Sequence, residues 1–181
     1  MQPINKFNRI FKSRRINYYP CIRKDFIDVL KNVVKELSSK DNYNSLGYVN
    51  CGLLENINMV NIVKKNSSVD LKEPLKNISE INDYDKYIKA IREYTMVDIL
   101  IVQANGLTVD GEILFQDNIG NKISGSVFCA QKVIILVDGK NIYDDIDQFL
   151  EQRDGNVFSI IYGSMEGHKE RIHLIQIMEK I

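Results

Sequence analysis

The sequence predicts an α/β fold built on a parallel or mixed sheet, and three observations lead to this prediction. Residues 97–102 and 132–137 form two nearly continuous apolar, β-branched runs, which is typical of strands covered on both faces. The chain between them is dense in turn signals, among them Asn-Gly at 105–106 and Asp-Gly at 110–111. Segments with helical periodicity lie on either side of this region, as an α/β arrangement requires.

The turn signals divide the region between the two runs into short elements. Residues 107–109 and 112–115 are β-prone and are joined through Asp-Gly, which predicts a hairpin. Residues 117–121 are polar and predict a turn. Residues 123–129 are again β-prone, and we expect a further strand there, with small residues that allow a backbone or a ligand to approach closely.

Apolar residues at helical spacing predict helices over residues 25–37, 83–94 and 141–152. We expect Asp83 to be the N-cap of the second helix. The apolar face of the first helix is expected to face the core rather than a partner. Further β-prone segments predict short strands over residues 48–51, 59–63, 157–161 and 172–178. The last two are separated by residues 163–171, either a hairpin-like connection or, with its small residues, His, Lys and Arg, an anion-binding loop.

Length and charge limit the classes of function. The chain has 181 residues, with 24 Lys+Arg and 24 Asp+Glu, so there is no strong overall field to recruit nucleic acid or an anionic membrane. Residues 1–20 contain five basic residues and no acid, and we interpret them as a basic N-terminal arm, more often a solvated terminus than a binding segment. Residues 21–181 are expected to form a single α/β domain.

The cysteines and histidines do not form a recognisable metal or catalytic motif. Cys21, Cys51 and Cys129 lack C-x-x-C spacing, so we predict no metal site and no cofactor in this chain. Their odd number, the lack of a signal peptide and the lack of a membrane-spanning run are typical of a cytoplasmic protein. Cys129 is expected to be a small buried hydrophobe. His168 and His173, the two histidines, are expected to be structural.

A succession of parts along residues 97–142 carries a family resemblance. It consists of an Asp-started apolar strand, a small-residue loop, an acidic-Gly turn, a Gly-Asn pair, a Cys-x-Gln-Lys lead-in to the second run, and an Asn-Ile helix start, at residues 97–102, 104–108, 110–112, 120–121, 129–132 and 141–142. In this order the chain resembles the LUD-domain, or lactate-utilization, family, and most of all its C-type subunit. The resemblance extends from about residue 85 to the C-terminus.

The resemblance implies a three-layer, Rossmann-like sheet with flanking helices, as in ribose-phosphate isomerase, glucosamine-phosphate deaminase and the CoA transferases. In such folds the ligand binds in loops at the strand ends. The resemblance also implies a role in the oxidation of lactate to pyruvate, alongside iron–sulfur oxidoreductase subunits as partners. Iron–sulfur chemistry would then belong to the partner. The family's C-type subunit has no well-defined reaction of its own, so the resemblance does not define a mechanism.

The same resemblance points to candidate site residues. We nominate Glu112 as a general base or carboxylate nucleophile, because CoA transferases use a Glu in this way. Many C-type relatives have Glu where this chain has Thr108 or Val109, and this departure argues against an intact active site. The candidates for ligand binding are polar or small loop residues: Asn105, Gly106, Asp110, Asn121, Lys122, Ser164 and Arg171.

Two hypotheses follow. The first is a lactate-utilization subunit that binds a small anionic metabolite or supports an oxidoreductase complex. It predicts a polar cleft lined by residues 104–112 and 163–171. The second is a non-catalytic member that acts as an interaction module, with a filled or absent cleft and an apolar patch elsewhere, for instance on helix 25–37. A sugar-phosphate isomerase-like enzyme would need an acid/base pair and a phosphate cradle in one cleft. Assembly into a homo-oligomer is left open.

Overall fold

The computed structural model describes residues 2–40, 43–49, 51–54, 57–64, 68–74, 81–152, 157–164 and 170–179. The helices are α1 (Gln2–Ser13), α2 (Phe26–Lys40), α3 (Met59–Lys64), α4 (Tyr84–Thr95), α5 (Asn121–Ser124) and α6 (Ile146–Glu151). The strands are β1 (Ile16–Ile22), β2 (Ser45–Tyr48), β3 (Asp70–Lys72), β4 (Ile99–Gln103), β5 (Gly106–Thr108), β6 (Ile113–Asp117), β7 (Lys132–Asp138), β8 (Ile142–Tyr143), β9 (Val157–Ile161) and β10 (Ile172–Met178).

The main sheet has six strands in the order β1-β10-β7-β4-β2-β3, and every pairing is parallel. The two apolar runs of the sequence are β4 and β7, which pair with each other near the centre of the sheet. Residues 99–102 and 133–137 are fully buried. The prediction of strands covered on both faces is therefore confirmed, because an all-parallel sheet needs helices on each side.

Two hydrophobic clusters fill the space between the sheet and its helices. Leu100 and Val102 of β4 belong to one cluster, which includes Ile91 of α4. Ile99 and Ile101 point to the opposite face and belong to the second cluster, with Leu30 of α2. This alternation gives the predicted three layers of helix, sheet and helix. The predicted helix over 25–37 is confirmed as α2, and its apolar face is core.

A second sheet of four strands, in the order β8-β5-β6-β9, carries the hairpin region. Strands β5 and β6 are antiparallel, as the Asp-Gly turn predicts. Strand β9 pairs antiparallel with β6, whereas β10 lies in the main sheet between β1 and β7. The hairpin-like alternative for residues 163–171 is therefore wrong. Strand β10 is buried along almost its whole length, which suits an interior position.

The N-terminal residues are part of this architecture. Helix α1 buries Phe7 and Phe11, and its basic side chains lie on the outside. Strand β1 pairs with β10 over seven positions and crosses residue 20, where the sequence placed the end of a solvated arm. Pro20 is tolerated because β1 is an edge strand. The basic segment forms an amphipathic helix that packs on the core. The expectation of a solvated terminus is therefore wrong.

Two elements differ from their predicted type and a third from its predicted length. Residues 59–63 form helix α3 rather than a strand, because Met59, Ile62 and Val63 pack beneath α2. Residues 123–129 form the end of α5 and a π-helical turn rather than a strand. The helix predicted over 141–152 is shorter, since it begins only at Ile146 after strand β8. The turn interpretation of residues 153–156 lies outside the described residues.

Candidate functional site

The order of strands creates a crevice between β2 and β4. From β2 the chain passes through α3, on one face of the sheet, to the outer strand β3. From β4 the chain runs the other way, through α5 on the opposite face, to β7. Adjacent strands whose connections diverge leave room above their carboxyl ends, and ligands of open α/β sheets bind at such switch points.

A cleft of about 570 Å³ lies at this point. It is lined by the segments that follow β2, β4 and β6, and by Tyr87 of α4. Three residues nominated from the sequence line it: Asn105, Asn121 and Lys122. The structure therefore brings together the polar candidates that follow two different strands, although whether they bind a ligand stays a prediction.

Asn105 fixes the loop after β4 to strand β6. Its backbone N–H donates to the carbonyl of Leu114 at 2.8 Å, and its side-chain Oδ1 accepts the N–H of Gln116 at 2.8 Å. The side-chain oxygen of Asn105 thus accepts the Gln116 N–H in place of a backbone carbonyl from a neighbouring strand. As a result the rim of the cleft between β4 and β6 is held by two hydrogen bonds.

Asp117 organises the opposite rim and was missed as a site residue by sequence reasoning. Its carboxylate is buried, and Oδ1 accepts the N–H of Asn118 at 2.9 Å, while Oδ2 accepts the N–H of Lys122 at 2.7 Å. Two longer contacts come from the N–H groups of Ile119 and Ile123, at 3.5 and 3.4 Å. The negative charge is thus compensated by backbone dipoles. An Asp just before a Gly-Asn turn was the available signal.

Lys122 is the one cationic side chain among the described residues that line the cleft. Its ammonium donates to the carbonyl of Gln116 at 2.7 Å, which anchors the side chain along the rim. An ammonium has three donors, so two N–H groups remain for an acceptor in the cleft. Beside it, the Asn121 amide donates to the Tyr94 hydroxyl at 3.4 Å.

Cys51 lines the same cleft after β2. Burial raises the pKa of its thiol above the usual value, although the positive charge of Lys122 and the N–H groups of Leu53 and Leu54 act in the opposite direction. The thiol is therefore protonated at neutral pH, and it does not have the character of a nucleophilic thiolate. Cys129, expected to be buried, is half-buried at the end of the π-helical turn.

The remaining nominated residues of the hairpin lie outside the cleft. Glu112 is bonded within its own turn, because its carboxylate accepts the Thr108 hydroxyl and its N–H donates to Thr108 Oγ1 at 3.1 Å. Asp110 is exposed and pairs with Lys6 of α1 at 3.1 Å. Gly106 allows strand β8 to approach, since a Cβ there would lie 2.7 Å from the carbonyl oxygen of Asn141.

Ser164 and Arg171 lie apart from the cleft as well. The N–H of Ser164 donates to the carbonyl of Arg14 at 3.0 Å. The guanidinium of Arg171 donates twice to the carbonyl of Ala130, at 3.1 and 2.9 Å, where β7 and β10 begin. These are the amino ends of the parallel strands, the edge opposite the cleft. In the described part of the chain, residues 104–112 and 163–171 do not form one cleft; residues 165–169, with His168, lie outside that part.

Within the described ranges, no three His, Cys, Asp or Glu side chains converge on a point where they could hold a metal ion. No helix in that same part of the chain is long and apolar enough to cross a bilayer. The cysteines Cys21, Cys51 and Cys129 are all free thiols.

The fold and the switch-point cleft define an α/β protein of the doubly wound type. A family model described as the LUD domain matches residues 4–155, and the chain belongs to this family. A crystal structure of a DUF162 family protein from Deinococcus radiodurans is similar over 98% of this chain and 96% of that chain, with 11% identity and a TM-score of 0.56. This similarity supports the fold.

Two other solved structures are similar over part of their length. The match to the delta subunit of eIF2B from Chaetomium thermophilum covers 82% of this chain and 55% of the eIF2B chain, with 13% identity and a TM-score of 0.39. The match to ribose 5-phosphate isomerase from Plasmodium falciparum covers 64% of this chain and 53% of the isomerase chain, with 14% identity and a TM-score of 0.33. A comparison with curated proteins finds no match.

Proposed function

We propose that this LUD-domain protein binds a small anionic metabolite in the switch-point cleft, with Lys122 as the cation that receives a carboxylate. One observation carries the proposal. Of the two charged residues among the described residues of the lining, Asp117 is saturated by backbone N–H groups, whereas Lys122 keeps two donors. The charged donor that remains for an incoming ligand is therefore the ammonium of Lys122. An anion entering the cleft exchanges water for a charge-assisted hydrogen bond.

Membership of the family supports lactate or pyruvate as the anion and a supporting role in lactate oxidation. In this proposal, iron–sulfur subunits carry the electrons, and this chain binds the acid or presents it to them. The cleft has room for more than a three-carbon acid, so a larger anion such as a sugar phosphate or CoA belongs in the same test.

A second candidate is a non-catalytic member that acts through protein interaction. The observation that favours it is the position of Glu112, whose carboxylate is engaged by Thr108 outside the cleft. Its nominated role as a base would need a free carboxylate within reach of the ligand. This candidate also expects an apolar surface patch, which α2 does not provide, because its apolar face is buried.

The test is a thermal-shift and calorimetric comparison of lactate, pyruvate, CoA and sugar phosphates. A ligand that binds only the folded state at 100 times its dissociation constant stabilises it by about 2.7 kcal/mol. Lys122→Gln should abolish the shift produced by the binding anion. The matched control is Lys35→Gln, which removes the same charge from the exposed side of α2.

Lactamide, which is neutral, separates charge recognition from shape. The proposal expects the carboxylate to bind and the amide to fail. If no anion shifts the wild-type transition, or if Lys122→Gln binds as the wild type does, the proposed site is wrong. The interaction-module candidate would then be the one to pursue.

A further inference from the structure

The edges of the two sheets differ in how they are protected against pairing with another chain. Strand β1 carries Pro20, and β3 is three residues long with an ion pair between Asp70 and Lys72 at 2.6 Å. Strand β8 has two residues. Short strands, charges and proline are the devices by which proteins block edge pairing. Strand β9, with sequence Val-Phe-Ser-Ile-Ile, has no proline and no charge, and its one strand partner within the described residues is β6.

The side chains of β9 are also unusual. Phe158, Ile160 and Tyr162, the last one residue past the end of the strand, alternate along the chain and so share one face; they are 37, 46 and 60% exposed. Helix α6 packs over the neighbouring part of that face, where the ring of Phe149 lies 6.1 Å from that of Phe158. The helix is six residues long and leaves the β9 part of the face uncovered.

Charge is distributed with opposite sign at the two ends of β9. At the Tyr162 end, the guanidinium of Arg14 stacks on the tyrosine ring at 3.6 Å from its centroid. At the Phe158 end lies α6, whose exposed face and N-terminal approach are acidic: Asp144, Asp145, Asp147 and Glu151. A strand with a basic end and an acidic end is complementary to an antiparallel copy of itself.

We propose that β9 is the interface of a homodimer, in which β9 of a second copy of this chain pairs antiparallel with it and joins the two four-stranded sheets into one of eight strands. The two-fold axis passes near Ile160. Ile160 then faces its own copy, Phe158 faces Tyr162 of the other chain, and the basic end of each β9 adjoins the acidic α6 of the partner. The proposed interface does not include the residues that line the anion cleft, and the dimer proposal does not depend on anion binding.

The first test is the mass of the wild-type protein in solution, measured by light scattering and sedimentation equilibrium at concentrations up to the order of 100 µM. The wild type should be a dimer. Ile160→Lys places two like charges opposite each other and should raise the dimer dissociation constant by about tenfold or more. The control is Phe128→Lys, which changes a side chain that is 88% exposed on the π-helical turn and should leave the dimer intact.

Both variants alter exposed side chains, and circular dichroism should show that both remain folded. Ile160→Cys tests the register, because opposed Cβ atoms across an antiparallel pair lie about 4.5–5.5 Å apart, too far for an unstrained disulfide but within reach of a short bismaleimide cross-linker. The reagent should convert that variant to a covalent dimer, and Phe128→Cys should stay monomeric on a denaturing gel. A monomeric wild type, a dimer that Ile160→Lys leaves unchanged, or an Ile160→Cys protein that does not cross-link would overturn the proposal.

Discussion

The carboxylate of Glu112 accepts a hydrogen bond from the hydroxyl of Thr108, and the oxygen of that hydroxyl accepts the N–H of Glu112 at 3.1 Å. The two residues lie at opposite ends of the Asp110-Gly111 turn, in which Gly111 has a φ of +81°. This reciprocal pair closes the β5–β6 hairpin. A residue that resembles a catalytic Glu in the sequence therefore has a structural partner in the fold.

Glu112→Gln should lower the free energy of unfolding by about 0.5–1.5 kcal/mol, because one charge-assisted hydrogen bond is weakened. Thr108→Val should have a comparable effect, and the double variant should cost less than the two changes added, as expected for two groups in one contact. Urea titration measures all three. Anion binding should be unaffected. A Glu112→Gln protein of unchanged stability that no longer binds or reacts would restore the catalytic interpretation.

Asp117→Asn should be more damaging than the polar sequence around Asp117 suggests, because the side chain is buried. The carboxylate accepts the N–H groups of Asn118 and Lys122 inside the structure, and an amide nitrogen cannot replace one of these acceptors. We expect a loss of about 1–3 kcal/mol in the free energy of unfolding, together with weaker anion binding, because Lys122 is anchored through the same loop. Asp144→Asn, at an exposed site before α6, is the control. Equal stability of the two variants would contradict this account.

Phe11→Ala tests whether α1 belongs to the folded core. The ring is fully buried and lies 4.9 Å from that of Tyr18, so its removal should cost about 3–5 kcal/mol. Arg9→Ala, on the exposed side of the same helix, should change stability by less than about 0.5 kcal/mol. A solvated arm would predict no difference between the two variants in a chemical denaturation experiment.

His173 makes stability depend on pH. Burial, with the charge of Lys132, lowers the pKa of His173 to about 4 from 6.5. Nε2 donates to the carbonyl of Glu170 at 3.0 Å, so Nδ1 accepts the Tyr19 hydroxyl at 3.0 Å, and the neutral ring is satisfied on both sides. The sequence-based expectation of a structural histidine is confirmed.

Below pH 6.5 the unfolded state binds a proton that the folded state does not, and stability falls as the pH is lowered from about 6.5 to 4. Each pKa unit corresponds to about 1.4 kcal/mol, so the full loss approaches about 3 kcal/mol. Urea titrations across this range should show the slope in the wild type and a flatter line in His173→Gln. An equal slope in both proteins would assign the pH dependence to other groups.

The sequence by itself determined the layers of this protein. The runs that became β4 and β7 are apolar on both faces, and such strands are stable only inside a sheet covered by helices. The hairpin followed from Asp110-Gly111, and helix α4 begins where Asp83 predicts, with its carboxylate accepting the N–H of Lys86 at 3.1 Å. These features are local, since they depend on periodicity and on turn residues close together in the chain.

Only the tertiary structure decided which loops meet. Asn105 and Lys122 are 17 positions apart and line one cleft, because the switch point brings the ends of β2, β4 and β6 together. The resemblance groups Arg171 with them, yet Arg171 immediately precedes β10 at the opposite edge of the sheet. The strand order sets these distances, and it depends on long-range pairing that no local pattern encodes. The same reason explains α3, whose β-branched residues became helical once α2 offered a surface to pack against.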